Sequence, residues 1–168
     1  EELEGFTLVY ALENKKIGEL VFKKNLFNFV SFVAKKMTNI YNQILNSKIG
    51  NQKLLAILLD PDKIDLDTIP VLIEKINQSP ATHIFIGGSI VNNTIIDELI
   101  LKIKNDCDLP IVLFPGNPSQ ISDQADAILF LSLISGRNPE FLIEHQVNAA
   151  PILKRSQLEI ISTGYILI

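Results

Sequence analysis

The chain has 168 residues, 47% hydrophobic and 20% charged, with a formal net charge of −4. That is about one domain with enough apolar content for a sizeable core, which excludes disorder, and 15 basic against 19 acidic residues argue against a nucleic-acid binder. The single cysteine, Cys107, excludes an internal disulfide; with no apolar run of roughly 18–20 residues and no signal-peptide pattern after Glu1, a cytoplasmic protein is expected.

Residues 7–12 read as a strand, 13–16 as a turn and 17–22 as the returning strand. Residues 26–36 read as an apolar-rich helix ending in two lysines, which suit a C-terminus. Composition then changes. Five of the nine Phe precede residue 37, all eight Pro follow residue 60, and the only Met is Met37. A boundary at Met37 is expected, with 1–36 an extension unrelated to the domain and 37–168 the domain. Thr38 is placed to cap a short helix with Ile40, Tyr41, Ile44 and Leu45 on one side.

From residue 53 the pattern is regular. Residues 54–59 are an apolar run of strand length. Asp67 or Thr68 is placed to cap a helix through residue 77, with Pro70 in its first turn. A second strand over 83–86 is closed by Gly87-Gly88. Asn92 or Asn93 opens a helix through 104 whose Ile95, Ile96, Leu99, Ile100 and Ile103 fall at helical spacing. A third strand covers 111–114, and a short 118–122 segment stands where a helix is expected. A fourth strand covers 127–133, Asn138 and Pro139 open a helix to about 153, and 159–168 hold a fifth strand. The last residues, 164–168, read as the middle of a strand, so a truncated fragment is expected.

Alternating strands and helices, with strands apolar on both faces, predict a parallel sheet covered by helices. An open doubly wound sheet and part of a (β/α)8 barrel both fit. In either, sites form at the carboxyl ends of the strands. There the chain carries Asp60-Pro61-Asp62-Lys63, Gly87-Gly88-Ser89, Pro115-Gly116-Asn117, Ser135-Gly136-Arg137-Asn138 and Thr163-Gly164-Tyr165. Carboxylates hold hard cations such as Mg²⁺. Glycines let backbone N–H groups approach phosphates, and Lys63 and Arg137 can neutralise them.

Plainer readings stand beside these. Asp60-Pro61 is equally a turn dipeptide, Asn138-Pro139 a helix cap, Arg137 a surface charge and Tyr165 a packing residue. His83 and His145 lack partners at metal-ligand spacing and read as structural. Cys107 reads as an inert surface or half-buried thiol. No G-x-G-x-x-G, Walker A or G-x-S-x-G motif occurs. The strand ends also suit another phosphate-binding barrel, such as a sugar-phosphate isomerase, or a non-catalytic α/β binding domain.

Five segments occur in a telling order: Leu58-Leu59-Asp60-Pro61-Asp62-Lys63, Ile86-Gly87-Gly88-Ser89, Leu113-Phe114-Pro115-Gly116, Leu131-Ser132-Leu133-Ile134-Ser135-Gly136-Arg137-Asn138-Pro139 and Thr163-Gly164-Tyr165. Together they resemble the geranylgeranylglyceryl phosphate synthase family, the prenyltransferases of ether-lipid synthesis. The resemblance covers residues 37–168 and leaves 1–36 unmatched. It implies a partial TIM barrel, about its first five strands, with one helix replaced by a shorter segment; the brief 118–122 connection agrees. It implies transfer of a prenyl group from its diphosphate to the 3-hydroxyl of sn-glycerol 1-phosphate with Mg²⁺. By that resemblance Asp60 and Ser89 match the metal positions, Asp62 and Lys63 lie beside the diphosphate, and Tyr165 sits at the reacting centre. Gly87, Gly88, Asn117, Arg137 and Asn138 complete the expected substrate-binding set. The family takes its base from a later strand, so the fragment alone is expected to be inactive. Proximity to a membrane surface and homo-oligomerisation of the full-length parent are further expectations.

Overall fold

The computed structural model describes residues 39–88 and 93–166. All belong to the second of two units into which the chain divides, Asn39–Ile168. The elements expected in 1–36, the Thr38 and Asn92 caps, and Ser89 lie outside the described residues.

Helix α1, Ile40–Ile49, starts on Asn39, whose side chain accepts the Asn42 N–H at 2.8 Å. Its first turn is also held from a distance. The Glu159 carboxylate accepts the Ile40 N–H at 2.6 Å and the Tyr41 N–H at 2.9 Å, placing negative charge on unsatisfied donors at the positive end of the helix. Five parallel strands follow in sheet order: β1 Ala56–Leu59, β2 His83–Ile86, β3 Ile111–Leu113, β4 Ala127–Leu133 and β5 Glu159–Tyr165. Helices α2 Ile69–Asn77, α3 Asn93–Asp106 and α4 His145–Leu153 stand in three of the four connections, and the 3₁₀ turn Pro118–Gln120 stands in the one between β3 and β4.

The two-residue strand period sorts side chains into two cores. Ile84, Ile86, Ile111, Leu113 and Ile128 pack under the helices with Ile73, Ile96, Leu99 and Ile103. Phe85, Val112, Ala127, Leu129 and Ile161 line the opposite face, where Ile40 and Ile44 of α1 pack on them. β2 and β3, buried on both faces, need the Ile-rich runs that the sequence carries there.

The strand register shows that the sheet is barrel-like. Leu59, Ile86, Leu113, Ile128 and Ile160 form one row of paired residues. β1 stops at that row, whereas β4 and β5 continue to Leu133 and Tyr165. In an eight-stranded barrel of shear eight the strands tilt, and the level rim climbs about one residue per strand. Asp60 lies one residue beyond the row and Tyr165 five, which is that climb over four strand steps. The Phe114 and Tyr165 rings touch at 5.7 Å between centroids, as a shared rim requires.

Several local expectations are corrected. β1 begins at Ala56 rather than residue 54, and Leu58 is 52% exposed because nothing among the described residues covers that face of the edge strand. Thr68 precedes α2 but does not cap it with its side chain. Its hydroxyl donates instead to the Asp65 carbonyl at 2.7 Å, closing a 3₁₀ turn, Leu66–Thr68, that the Asp65 side chain caps. The long helix expected from residue 139 divides into a π-turn, Glu140–Glu144, and α4. Cys107 is buried in the core under the helices rather than near the surface.

His83 is structural, as expected, and its setting has a pH consequence. Thr82 Oγ1 lies 2.8 Å from Nδ1, while Nε2 is buried with no partner among the described residues. Burial pushes the His83 pKa below its ordinary value, because the charged ring loses its solvation. The folded chain therefore holds His83 neutral where the unfolded chain, with pKa about 6.5, takes up a proton. This contribution to stability is complete above pH 6.5 and is lost as pH falls from there toward the depressed folded pKa. Urea unfolding between pH 7.5 and 5 is expected to show that decline in the native chain. In His83→Leu the decline should be shallower; an identical slope in both would remove His83 as its source.

Candidate active site

The strand ends assemble the site. Asp60 follows β1 and caps the 3₁₀ turn Pro61–Lys63, with Pro61 at its first position. One carboxylate oxygen accepts the Asp62 N–H at 3.2 Å, and the other lies 2.8 Å from Lys63 Nζ. The hydrogen-bonded ammonium holds the Asp60 carboxyl below the usual carboxylate range, and Asp60 in turn raises the Lys63 pKa. Asp60 is therefore ionised throughout the neutral range. The Lys63 side chain is 80% exposed against 24% for Asp60, so the pair is a surface one that an incoming cation can replace. Asp62 is exposed beside it.

After β2, Gly87 lies so close to the third strand that a Cβ there would sit 1.8 Å from the Phe114 carbonyl oxygen. The Gly88 carbonyl accepts from Gln120 Nε2 at 2.7 Å, and Gln120 Oε1 accepts the Gly116 N–H at 2.9 Å. The Asn117 side-chain oxygen is committed to its own 3₁₀ turn, Pro118–Gln120. It accepts the Ser119 N–H at 2.8 Å and the Ser119 hydroxyl at 2.5 Å, so only its NH₂ group is left for a ligand. Asn138 likewise uses its side-chain oxygen on the Glu140 N–H at 3.0 Å, the local capping role named as its plainer reading. Arg137 is exposed on the same loop.

Tyr165 closes β5. Its ring meets Phe114 edge-on at 88°, and Phe114 lies 6.4 Å from Phe85. The tyrosine borders an apolar cavity of about 410 Å³ lined by Ile121, Leu129, Leu131, Phe141 and Ala149. Two features open this space. The connection after β3 contains a three-residue 3₁₀ turn where a helix would fill it. β4 also runs on past the pairing with β3, which ends at Leu113 and Ile128. The exposed edge of β4 is met by Gln146, whose amide donates to the Leu131 carbonyl and, at 3.1 Å, to the Phe141 carbonyl. That amide supplies a partner a neighbouring strand would otherwise give. His145 also borders the cavity, stacked edge-on against Phe141 with Nε2 3.3 Å from Glu140.

Gln120 and Gln146 escaped the sequence reading, since an isolated glutamine carries no positional signal. Among the described residues no group of three or more His, Cys, Asp or Glu side chains could hold a metal ion. The described residues alone thus make no complete cage for a cation. Mg²⁺ needs less: it keeps several waters and takes one or two carboxylates beside substrate phosphates. The ionised, partly exposed Asp60 fits that share.

Comparison with known proteins gives a consistent picture. Residues 46–168 match the model of the PcrB family. The geranylgeranylglyceryl phosphate synthase of Flavobacterium johnsoniae is 66% identical over 134 residues, covering 80% of this chain and 55% of that protein. The Korarchaeum cryptofilum protein of the same name is 44% identical over 119 residues, covering 71% and 49%. The crystal structure of (S)-3-O-geranylgeranylglyceryl phosphate synthase from Thermoplasma acidophilum, in complex with its substrate sn-glycerol-1-phosphate, superposes with a TM-score of 0.72 at 32% identity over 77% of this chain and 53% of that one. The chain thus spans about half the length of the curated relatives it matches. With its strand ends, its staggered five-stranded sheet and the match over residues 46–168 all in agreement, the chain belongs to the PcrB family.

Proposed function

We propose that the site serves prenyl transfer from a geranylgeranyl-type diphosphate to the 3-hydroxyl of sn-glycerol 1-phosphate. The observation that carries this reading is the apolar cavity of about 410 Å³ bordered by Tyr165, which closes β5 on the same strand-end edge that Asp60 begins after β1. Such a cavity suits an uncharged chain, and the polar edge suits its diphosphate. The allylic C–O bond to diphosphate breaks, an ether bond forms to the glycerol oxygen, and the hydroxyl proton leaves to a base. Mg²⁺ held by Asp60, and by Ser89 by resemblance, would supply positive charge against the departing diphosphate.

The chain's own groups divide the remaining work. Lys63, released from Asp60, and Arg137 face growing negative charge with ammonium and guanidinium groups. Asp62, beside Lys63, borders the same ligand by resemblance, and Gly87, Gly88, Asn117 and Asn138 border it as strand-end residues. The Tyr165 ring, fixed edge-on by Phe114, presents an electron-rich surface to a carbon that becomes cationic. No helix among the described residues is long and apolar enough to cross a membrane. We place the reaction in the cytoplasm, the expectation drawn from the sequence, beside the membrane surface that receives the lipid and in a homo-oligomer.

The test is direct. Labelled sn-glycerol 1-phosphate, geranylgeranyl diphosphate and Mg²⁺ are incubated with this chain, and with a chimera completed to the relatives' length by the C-terminal part of the Flavobacterium johnsoniae protein. Label entering the organic phase with the chimera is the expected result. A folded chimera that forms no product with prenyl donors of any length would overturn the proposal.

A further inference from the structure

The geometry points to Gln120 as a positioning residue that ties Gly88, after β2, to Gly116, after β3, and so sets the diphosphate-binding edge. Gln120 is 1% exposed. It is neutral and bonded at both ends, donating to the Gly88 carbonyl at 2.7 Å and accepting the Gly116 N–H at 2.9 Å. A buried side chain bonded at each end to a different loop fixes their separation, because losing it leaves two backbone groups unsatisfied.

Two consequences bear on ligand binding, and they rest on the reading of this edge given above. The Gly88 carbonyl is turned into the body of the protein, so its negative end is kept from an anionic ligand. The Gly116 N–H is consumed by Gln120 and does not serve a phosphate. Gln120 also stands between Pro118 and Ile121, which line the apolar cavity. Gly116 borders the cavity too, but the cavity's apolar walls Leu129, Leu131, Phe141 and Ala149 stand on β4 and the segments after it, to which the Gln120 amide makes no bond.

That difference makes the inference testable in the 168-residue chain. Inorganic diphosphate with Mg²⁺ probes the edge, and geranylgeraniol, an uncharged alcohol, probes the cavity; both are titrated calorimetrically. Gln120→Leu is expected to weaken diphosphate binding by about tenfold or more while geranylgeraniol binding stays within about twofold. Gln120→Glu serves where the leucine variant does not fold. Its carboxylate can still accept the Gly116 N–H but opposes the Gly88 carbonyl with a second acceptor. Diphosphate binding should weaken there too and recover toward that of the unaltered chain at the same pH as acid protonates the glutamate and restores a donor. Equal weakening of both ligands, or unchanged diphosphate binding, would overturn the inference while the proposed reaction stands. Failure of the unaltered chain to bind diphosphate would overturn the reading of the edge itself, and this inference with it.

Discussion

Gly87→Ala is expected to destabilise the domain by at least about 3 kcal/mol, the upper part of the range for forcing atoms into a packed interior. The reason is space rather than backbone freedom, since no described glycine has a positive φ. A methyl at residue 87 would stand 1.8 Å from the Phe114 carbonyl oxygen and 2.6 Å from its carbon. Both are backbone atoms of the neighbouring strand end and cannot rotate away. Relief requires that β2 and β3 part, yet the Phe114 N–H donates to the Ile86 carbonyl at 2.8 Å and the Gly87 N–H to the Leu59 carbonyl at 3.2 Å. Gly164→Ala is the matched control. Its methyl would meet the flexible end of Ile134 at 3.2 Å, and a change within about 1 kcal/mol is expected. Urea unfolding of both variants checks the pair. A Gly87 variant as stable as the control would show that the strand ends are not packed as described. The result also separates two roles for Gly87, because a phosphate-approach role alone would leave stability intact.

The inner strands β2 and β3 were legible because each is a short apolar-rich run hidden on both faces, and β4 was read over the same residues that it occupies. The choice between an open sheet and a barrel was not legible. It rests on how far β4 and β5 outrun the Leu59–Ile86–Leu113 row, and register follows from pairing that no single segment encodes. The start of α2 was placed but its cap was misread. Thr68 has the right chemistry for a cap, and a carbonyl three residues back claimed its hydroxyl first. The candidate site was half legible. Asp60 and the glycines stand out at strand ends, whereas Gln120 acts through two long-range contacts and Gln146 through the unpaired edge of β4. The Asp60–Lys63 pair was also missed. The two were assigned to metal and diphosphate, and without a ligand they neutralise each other.

That pairing frames the second large effect. Asp60→Asn in the completed chimera is expected to cut prenyl transfer by about 10²-fold or more, the scale seen when a group that stabilises developing charge is removed. Stability should hardly change. The asparagine oxygen can still accept the Asp62 N–H, and the ion pair it loses joins a partly exposed carboxylate to a lysine that is 80% exposed, a class of pair that contributes about 0–1 kcal/mol. The loss should therefore appear in turnover and not in the melting temperature. Lys63→Gln provides the contrast. It frees Asp60 of its competing cation, so half-maximal activity should need less Mg²⁺, even if the maximal rate falls through loss of the ammonium beside the diphosphate. If Asp60 is only a turn residue, its asparagine variant will retain full activity at limiting Mg²⁺ and the Lys63 variant will leave the Mg²⁺ requirement unmoved. Either result removes Asp60 as the cation's ligand, and the chain would then have to draw the charge against the departing diphosphate from Lys63 and Arg137 alone.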